Sequence, residues 1–248
     1  MTLYLIGIGL TDEKDITVNG LEAVRKCNLI YLENYTSKLI NAKLEDLEEF
    51  YGKKIIIAER ETVENKADLI LKQAKTSNVA LLIIGDVFSA TTHINFILEA
   101  RKSNVAVKII HNTSILSAIS EVGLELYKFG HVTSIPFNNK DIITPIEIFN
   151  KNYENALHTL FLLDLDPKRD KYMTINEAAA YLLNKIDGDV PAVGCSAIGS
   201  PESEVVFCKL NDLQKEKFEK IPQCIIIPAR KLHFVEEEAL DRWVRVVK

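Results

Sequence analysis

The sequence predicts an α/β protein built as two α/β domains, with a mostly parallel sheet in the first and a mixed sheet in the second. Three observations carry that expectation. Short apolar runs alternate with helical patterns from the first residues onward. Several of those runs are apolar throughout, as strands covered on both faces are. Beyond Ile110 the regular alternation gives way to strands set apart by turn residues, which reads as an antiparallel element. The division is expected between 1–112 and 113–248.

In the first half, strands are expected at Leu3 to Gly7, Asn28 to Leu32, Lys54 to Ala58, Val79 to Ile84 and Val105 to Ile110. Helical spacing falls between them at Val18 to Lys26, Lys43 to Tyr51, Ala67 to Lys75 and Ile94 to Lys102. In the second half Ser114 to Val122 and Ile146 to Tyr153 read as helical, and Leu157 to Leu165 as a strand. Thr174 to Ile186 is a helix with Thr174 placed to cap it. Val190 to Ala197 and Val205 to Leu210 flank Gly199 and Pro201, the pattern of an antiparallel pair. Ile225 to Ile227 adds a strand and Val235 to Val244 a closing helix, while Pro136 to Pro145 is the most loop-like stretch.

Composition narrows the function classes. The 248 residues suffice for a well-buried core, and 47% hydrophobic with 26% charged is ordinary for a folded chain. A formal charge of −5 provides no broad basic field, so direct nucleic-acid or anionic-membrane binding is not expected. No apolar run approaches the ~20 residues of a spanning helix. Leu3 to Leu10 is too short for a signal segment and runs into Asp12, Glu13 and Asp15. Cys27, Cys195, Cys208 and Cys224 show neither Cys-x-x-Cys nor zinc spacing, so a reduced, cytoplasmic protein with no metal is expected.

In open parallel sheets, ligands bind beyond the carboxyl ends of the strands, which singles out three loops. Gly7-Ile8-Gly9-Leu10 begins like a dinucleotide fingerprint, with Glu33 at a fitting distance, but Asp12 stands at the third glycine position. A tight turn without a ligand accounts for it equally well. The segment from Gly85 to His93 combines a glycine, the Asp86 carboxylate and the hydroxyls of Ser89, Thr91 and Thr92. It fits either a small-molecule loop or a capped helix start, and it is no P-loop. His111-Asn112-Thr113-Ser114-Ile115 again ends a strand and opens a helix. His111 there fits a catalytic base, or the local hydrogen bond more common for a histidine at a strand end.

The remaining polar features have plainer readings. His158 reads as structural, and His233 has no partner legible in the sequence. Glu59-Arg60-Glu61 and Glu236-Glu237-Glu238 read as solvated charge clusters. No Gly-x-Ser-x-Gly, His-Glu-x-x-His or paired Cys/His pattern supports hydrolase or zinc chemistry.

Taken together the blocks are more specific than any one of them. LYLIGIGLTDEKDIT, NLIYLENYTS, EEFYGKKI, GDVFSATTH, IIHNTSILSAISEVGLELYKFGHVTSIPF, LHTLFLLDL, YMTINEAAAYLL and KLHFVEEEAL, in this order, resemble the diphthine synthases of the tetrapyrrole methylase group. The resemblance runs from Leu3 to about Leu240. It implies two α/β domains of the tetrapyrrole methylase type, usually a homodimer, with S-adenosylmethionine held in the cleft between the domains. It also implies repeated methylation of the amine of a modified histidine on translation elongation factor 2, releasing S-adenosylhomocysteine. Carried over by position, the cofactor contacts are Leu10, Asp86, Ser89, Ser114, Ile115, Leu163, Ile198 and Gln223, with Asp86 the first catalytic candidate. Glu33, Tyr35, Thr36, Arg60 and Lys128 follow as candidates for docking the protein substrate.

Three positions depart from the family pattern. Val87 replaces the usual proline of Gly-Asp-Pro, Gln223 stands where archaeal relatives commonly carry histidine, and Pro228-Ala229-Arg230-Lys231 replaces a shorter Pro-Gly-Lys. Two alternatives stay open beside the resemblance. One is a methyltransferase of the same fold acting on a tetrapyrrole precursor, and the other a degenerate cofactor-binding scaffold.

Overall fold

The computed structural model describes residues 1–60 and 67–245. The chain divides into two compact units, Met1–Leu116 and Ser117–Lys248. Glu61 of the first charge cluster lies outside the described residues.

The first unit is a five-stranded sheet of β1 (Thr2–Gly7), β2 (Leu29–Glu33), β3 (Ile56–Ala58), β4 (Val79–Ile83) and β5 (Ala106–Ile110), in the order β3-β2-β4-β1-β5. Every pairing in it is parallel. Its helices are α1 (Val18–Lys26), α2 (Leu44–Tyr51), α3 (Ala67–Ala74) and α4 (Ile94–Lys102). The central strands β1 and β4 have the expected cause of their apolar sequence, because successive side chains point to opposite faces and both faces are covered, whereas the edge strands β3 and β5 are partly exposed. Leu3, Leu5, Val79, Leu81 and Ile83 pack with Ile70, Leu71, Phe96 and Ala100 from α3 and α4. Ile6, Ala80, Leu82 and Ile84 face the other way, against Ala23, Val24, Leu47 and Tyr51 from α1 and α2. Parallel strands so arranged send all their carboxyl ends to one edge, where the loops singled out above begin.

The second unit opens with the tail of α5 (Ile115–Ala118) and a 3-10 turn over Ile119–Val122, so the expected helix there is split. Its sheet comprises β6 (Thr133–Ile135), β7 (Thr159–Leu163), β10 (Pro191–Ser196), β11 (Glu204–Lys209) and β12 (Gln223–Ile227), in the order β11-β10-β12-β7-β6. Only β6 and β7 pair in parallel, so the sheet is mixed. The small antiparallel hairpin of β8 (Leu165–Asp166) and β9 (Lys171–Tyr172) stands apart from it. α6 (Thr144–Glu154), α7 (Ile175–Leu183) and α8 (Leu210–Leu213) contribute Ile146, Phe149, Ile175, Ala178, Leu182 and Leu213 to a core with Phe161, Ile225 and Ile227. Thr174 caps α7 in a full capping box with Glu177. The chain closes with α9 (Phe234–Asp241). Among the described residues no helix is long and apolar enough to cross a membrane.

Candidate active site

In the first unit the three strand-end loops are knotted together. Gly9 and Gly85 exchange backbone hydrogen bonds, with Gly85 N–H donating to the Gly9 carbonyl at 2.7 Å and Gly9 N–H returning one at 3.3 Å. This explains the Gly-x-Gly without a dinucleotide. Gly9 has φ +82°, and a Cβ there would sit 2.4 Å from the Asp15 Cβ; a Cβ at Gly7 would meet the Gly85 carbonyl at 2.6 Å. Asp15 in turn accepts the backbone N–H of Leu10 at 3.0 Å and Thr11 at 2.7 Å, fixing the first loop.

Asp86 is the hub. Its Oδ1 accepts Phe88 N–H at 3.0 Å and the Ser89 hydroxyl at 3.3 Å. Its Oδ2 accepts His111 Nδ1 at 2.8 Å and Asn112 N–H at 3.2 Å. Burial alone would raise the carboxyl pKa, but the donors from Phe88, His111 and Asn112 outweigh it and hold the group below the usual carboxylate range. Asn112 completes the knot by donating to the carbonyls of Gly7 and Asp15, both at 3.0 Å. Leu10, Asp86, Ser89, Ser114 and Ile115 are thus gathered on loops that share these hydrogen bonds. Val87, in place of the proline, is fully buried, and its carbonyl accepts the Thr91 hydroxyl at 2.8 Å and His93 Nδ1 at 3.2 Å. The loop therefore keeps its shape through side-chain donors and not through a fixed proline φ.

The second unit gathers the other three positions at one edge of its own sheet. Leu163 ends β7, Gln223 starts β12 opposite Ser196, and Ile198 lies two residues beyond the end of β10. All three are buried. The Gln223 side chain is already committed: its Oε1 accepts Ile175 N–H at 2.8 Å and its Nε2 donates to the Lys220 carbonyl at 2.8 Å. Backbone strain sits beside both sets, since Ala90 next to Ser89 has φ +57° and Ala197 next to Ile198 has φ +51°. Asn104, Ala156 and Asp170 share this conformation away from the candidate positions, so the strain does not by itself mark the site.

Several secondary candidates change role. Glu33 is fully buried and accepts Tyr35 N–H, Thr36 N–H and the Thr36 hydroxyl at 2.7–2.9 Å, so it orders the loop after β2 and cannot dock a partner. Tyr35 is buried as well, with exposed Arg60 over its ring at 5.2 Å. The reading of Glu236-Glu237-Glu238 as a solvated run fails at Glu236, which is fully buried. That carboxylate accepts Lys128 Nζ at 2.6 Å, His158 Nε2 at 2.8 Å, His233 N–H at 2.8 Å and Glu125 N–H at 3.0 Å. Burial opposes its charge, yet these donors bring its pKa down to about 2. His158 is structural, as expected. Its Nδ1 accepts Ala229 N–H at 2.9 Å, which leaves Nε2 as the protonated nitrogen, and burial lowers its pKa. The same bond anchors the altered Pro228 to Lys231 segment, where Arg230 also donates to the Tyr153 and Glu154 carbonyls.

Sequence reasoning missed Asp15 and Asn112 as organisers of the site. An Asp or Asn just beyond a glycine turn is a known local backbone acceptor or donor, and that was the available signal. Cys195 and Cys224 lie directly opposite each other on β10 and β12, both buried, and burial pushes the Cys195 thiol well up, as befits packing residues.

Comparison with known proteins identifies the family. A family model described as Tetrapyrrole (Corrin/Porphyrin) Methylases matches residues 2–214. The diphthine methyl ester synthase of Homo sapiens is 41% identical, with 96% of this chain and 94% of the relative aligned. That of Candida glabrata is 39% identical over 96% of this chain and 88% of the relative. A solved diphthine synthase superposes with a TM-score of 0.93 at 37% identity, covering 98% of this chain and 96% of the other. Sequence and overall fold converge: the chain belongs to the tetrapyrrole methylase family, among its diphthine synthases, and is a methyltransferase.

Proposed function

We propose that the chain transfers methyl groups from S-adenosylmethionine to the amine of the modified histidine on translation elongation factor 2, in diphthamide biosynthesis. The observation that carries this reading is the Asp86-centred knot of three loops at the carboxyl edge of a parallel sheet, in a chain 41% identical to a diphthine methyl ester synthase. The residues present fit the cofactor by their chemistry. Within the first unit the Ser89 and Ser114 hydroxyls suit its polar groups, the Asp86 charge favours its cationic ones, and Leu10 and Ile115 offer aliphatic surface to a purine. Gln223 contributes through its backbone, because its side-chain amide is bonded within its own unit.

Bound S-adenosylmethionine supplies an activated methyl group, so no protein nucleophile is required. What the chain supplies is position, which in well-oriented reactions accounts for about 7–11 kcal/mol of the barrier. Asp86 serves as a fixed anion. Held below the usual range and saturated with donors, it orders the loop and favours a nearby cation without taking up a proton itself. The curated relatives are named methyl ester synthases, and a carboxylate of the same substrate is the proposed acceptor of a last methyl group. The enzyme acts as a homodimer in the cytoplasm, which light scattering and fractionation test.

Incubating the protein with S-adenosylmethionine and unmethylated elongation factor 2, then weighing the intact factor, counts the methyl groups directly. A precorrin in parallel distinguishes the tetrapyrrole alternative. Cofactor binding without transfer to either acceptor would establish the scaffold reading instead.

A further inference from the structure

The geometry points to His111 as the base that removes the acceptor ammonium's proton, with Asp86 as the positioning residue that fixes its tautomer. The inference rests on the proposed amine methylation and deepens it. His111 Nδ1 lies 2.8 Å from Asp86 Oδ2, and the same oxygen accepts Asn112 N–H. Carboxylate oxygens only accept, so Nδ1 carries the proton and the lone pair of the neutral ring is on Nε2. The Asp86 side chain is 12% exposed while that of His111 is 67% exposed. The ring is therefore anchored at its inner nitrogen and open at its outer one. Phe88 packs edge-on against it, with centroids 6.0 Å apart. A base oriented by a buried carboxylate and free on its far side is the arrangement of general-base catalysis. His111 also stands in the chain segment that carries Ser114 and Ile115.

The reaction needs such a group. An amine is an ammonium near neutrality and has no lone pair to donate. Its proton passes to His111 Nε2, and the resulting imidazolium is held by the Asp86 carboxylate. The freed nitrogen lone pair forms the bond to the methyl carbon, and the carbon–sulfur bond breaks with its electron pair left on sulfur. The proton then leaves His111 for solvent, to which the ring is open. Each cycle that starts from an ammonium thus releases one proton.

The test uses the full-length enzyme with unmethylated elongation factor 2. His111→Gln keeps an N–H for Asp86 but has no basic nitrogen. A general base contributes about 10²–10⁴-fold, so N-methylation is expected to fall at least a hundredfold while calorimetric affinity for S-adenosylmethionine stays within threefold. His111→Ala is expected to regain at least tenfold in rate with added imidazole, which has no effect on the wild type. A His111→Gln rate within threefold of wild type overturns the assignment. Cofactor affinity lost in step with rate, or no imidazole rescue, overturns it too by showing a structural role. A wild-type enzyme that transfers no methyl group to the factor overturns the proposed function itself, and the base with it.

Discussion

Replacing Glu236 with alanine should destabilise the second unit by about 3–5 kcal/mol, the cost typical of removing one partner from a buried ion pair. The magnitude follows from what the carboxylate holds. Lys128 can turn its ammonium to water, being partly exposed, but His158 is fully buried and its Nε2–H would lose its acceptor. An unsatisfied buried donor alone costs about 1–3 kcal/mol. His233 and Glu125 lose N–H acceptors as well, the former a capping-box bond of α9. Independently, a carboxyl brought from an ordinary 4.5 to about 2 corresponds to about 3 kcal/mol of stability. For a unit of this size that is a drop of about 10 °C in melting temperature, read by calorimetry on the wild type and Glu236→Ala. Glu237→Ala, at an exposed neighbour, should stay within about 0.5 kcal/mol. A loss below about 1 kcal/mol for Glu236→Ala would refute the network's role in the fold.

The same network sets an acid limit. Glu236 has a depressed folded pKa, so its contribution is present above pH about 4.5 and is lost as pH falls toward about 2. His158, also depressed, loses its contribution as pH falls from about 6.5, and both therefore steepen acid unfolding, as a urea midpoint followed against pH would show. Asp86→Ala should weaken S-adenosylmethionine binding or slow turnover at least tenfold, because four donors lose their acceptor; unchanged calorimetric affinity with unchanged turnover would sink that role. Gly9→Ala combines positive φ with a clash against Asp15 and should cost more than about 1 kcal/mol, with wild-type melting as the contrary result. Thr174→Ala removes an N-cap hydrogen bond and should cost about 1 kcal/mol without altering methyl transfer.

Much of the fold was legible because burial on both faces writes itself into continuous apolar strands, as in β1 and β4. β1, β4 and β5, and the helices Val18–Lys26 and Ile94–Lys102, lie where periodicity put them. β6 and the β8–β9 hairpin are not legible as separate strands because their two or three residues are flanked by loop and turn residues, whereas the equally short β3 shows through the run Ile55-Ile56-Ile57. The loops of the site were legible as strand ends, but their meaning was not. Gly9 with Gly85, and Asp86 with His111, are pairs distant in sequence that only the sheet order brings together. Glu236 failed for a related reason: a run of three glutamates looks solvated until Lys128 and His158, from distant segments, are known to meet one of them. The LYKFG and KLHFVEEEAL blocks, which contributed to the resemblance, are joined through that single carboxylate.

Methyl transfer to a modified histidine is read from the intact mass of elongation factor 2. Factor carrying the unmethylated intermediate, incubated with the protein and S-adenosylmethionine, should gain methyl groups at that one histidine. A factor of unchanged mass, under conditions where the cofactor is bound, would rule this activity out.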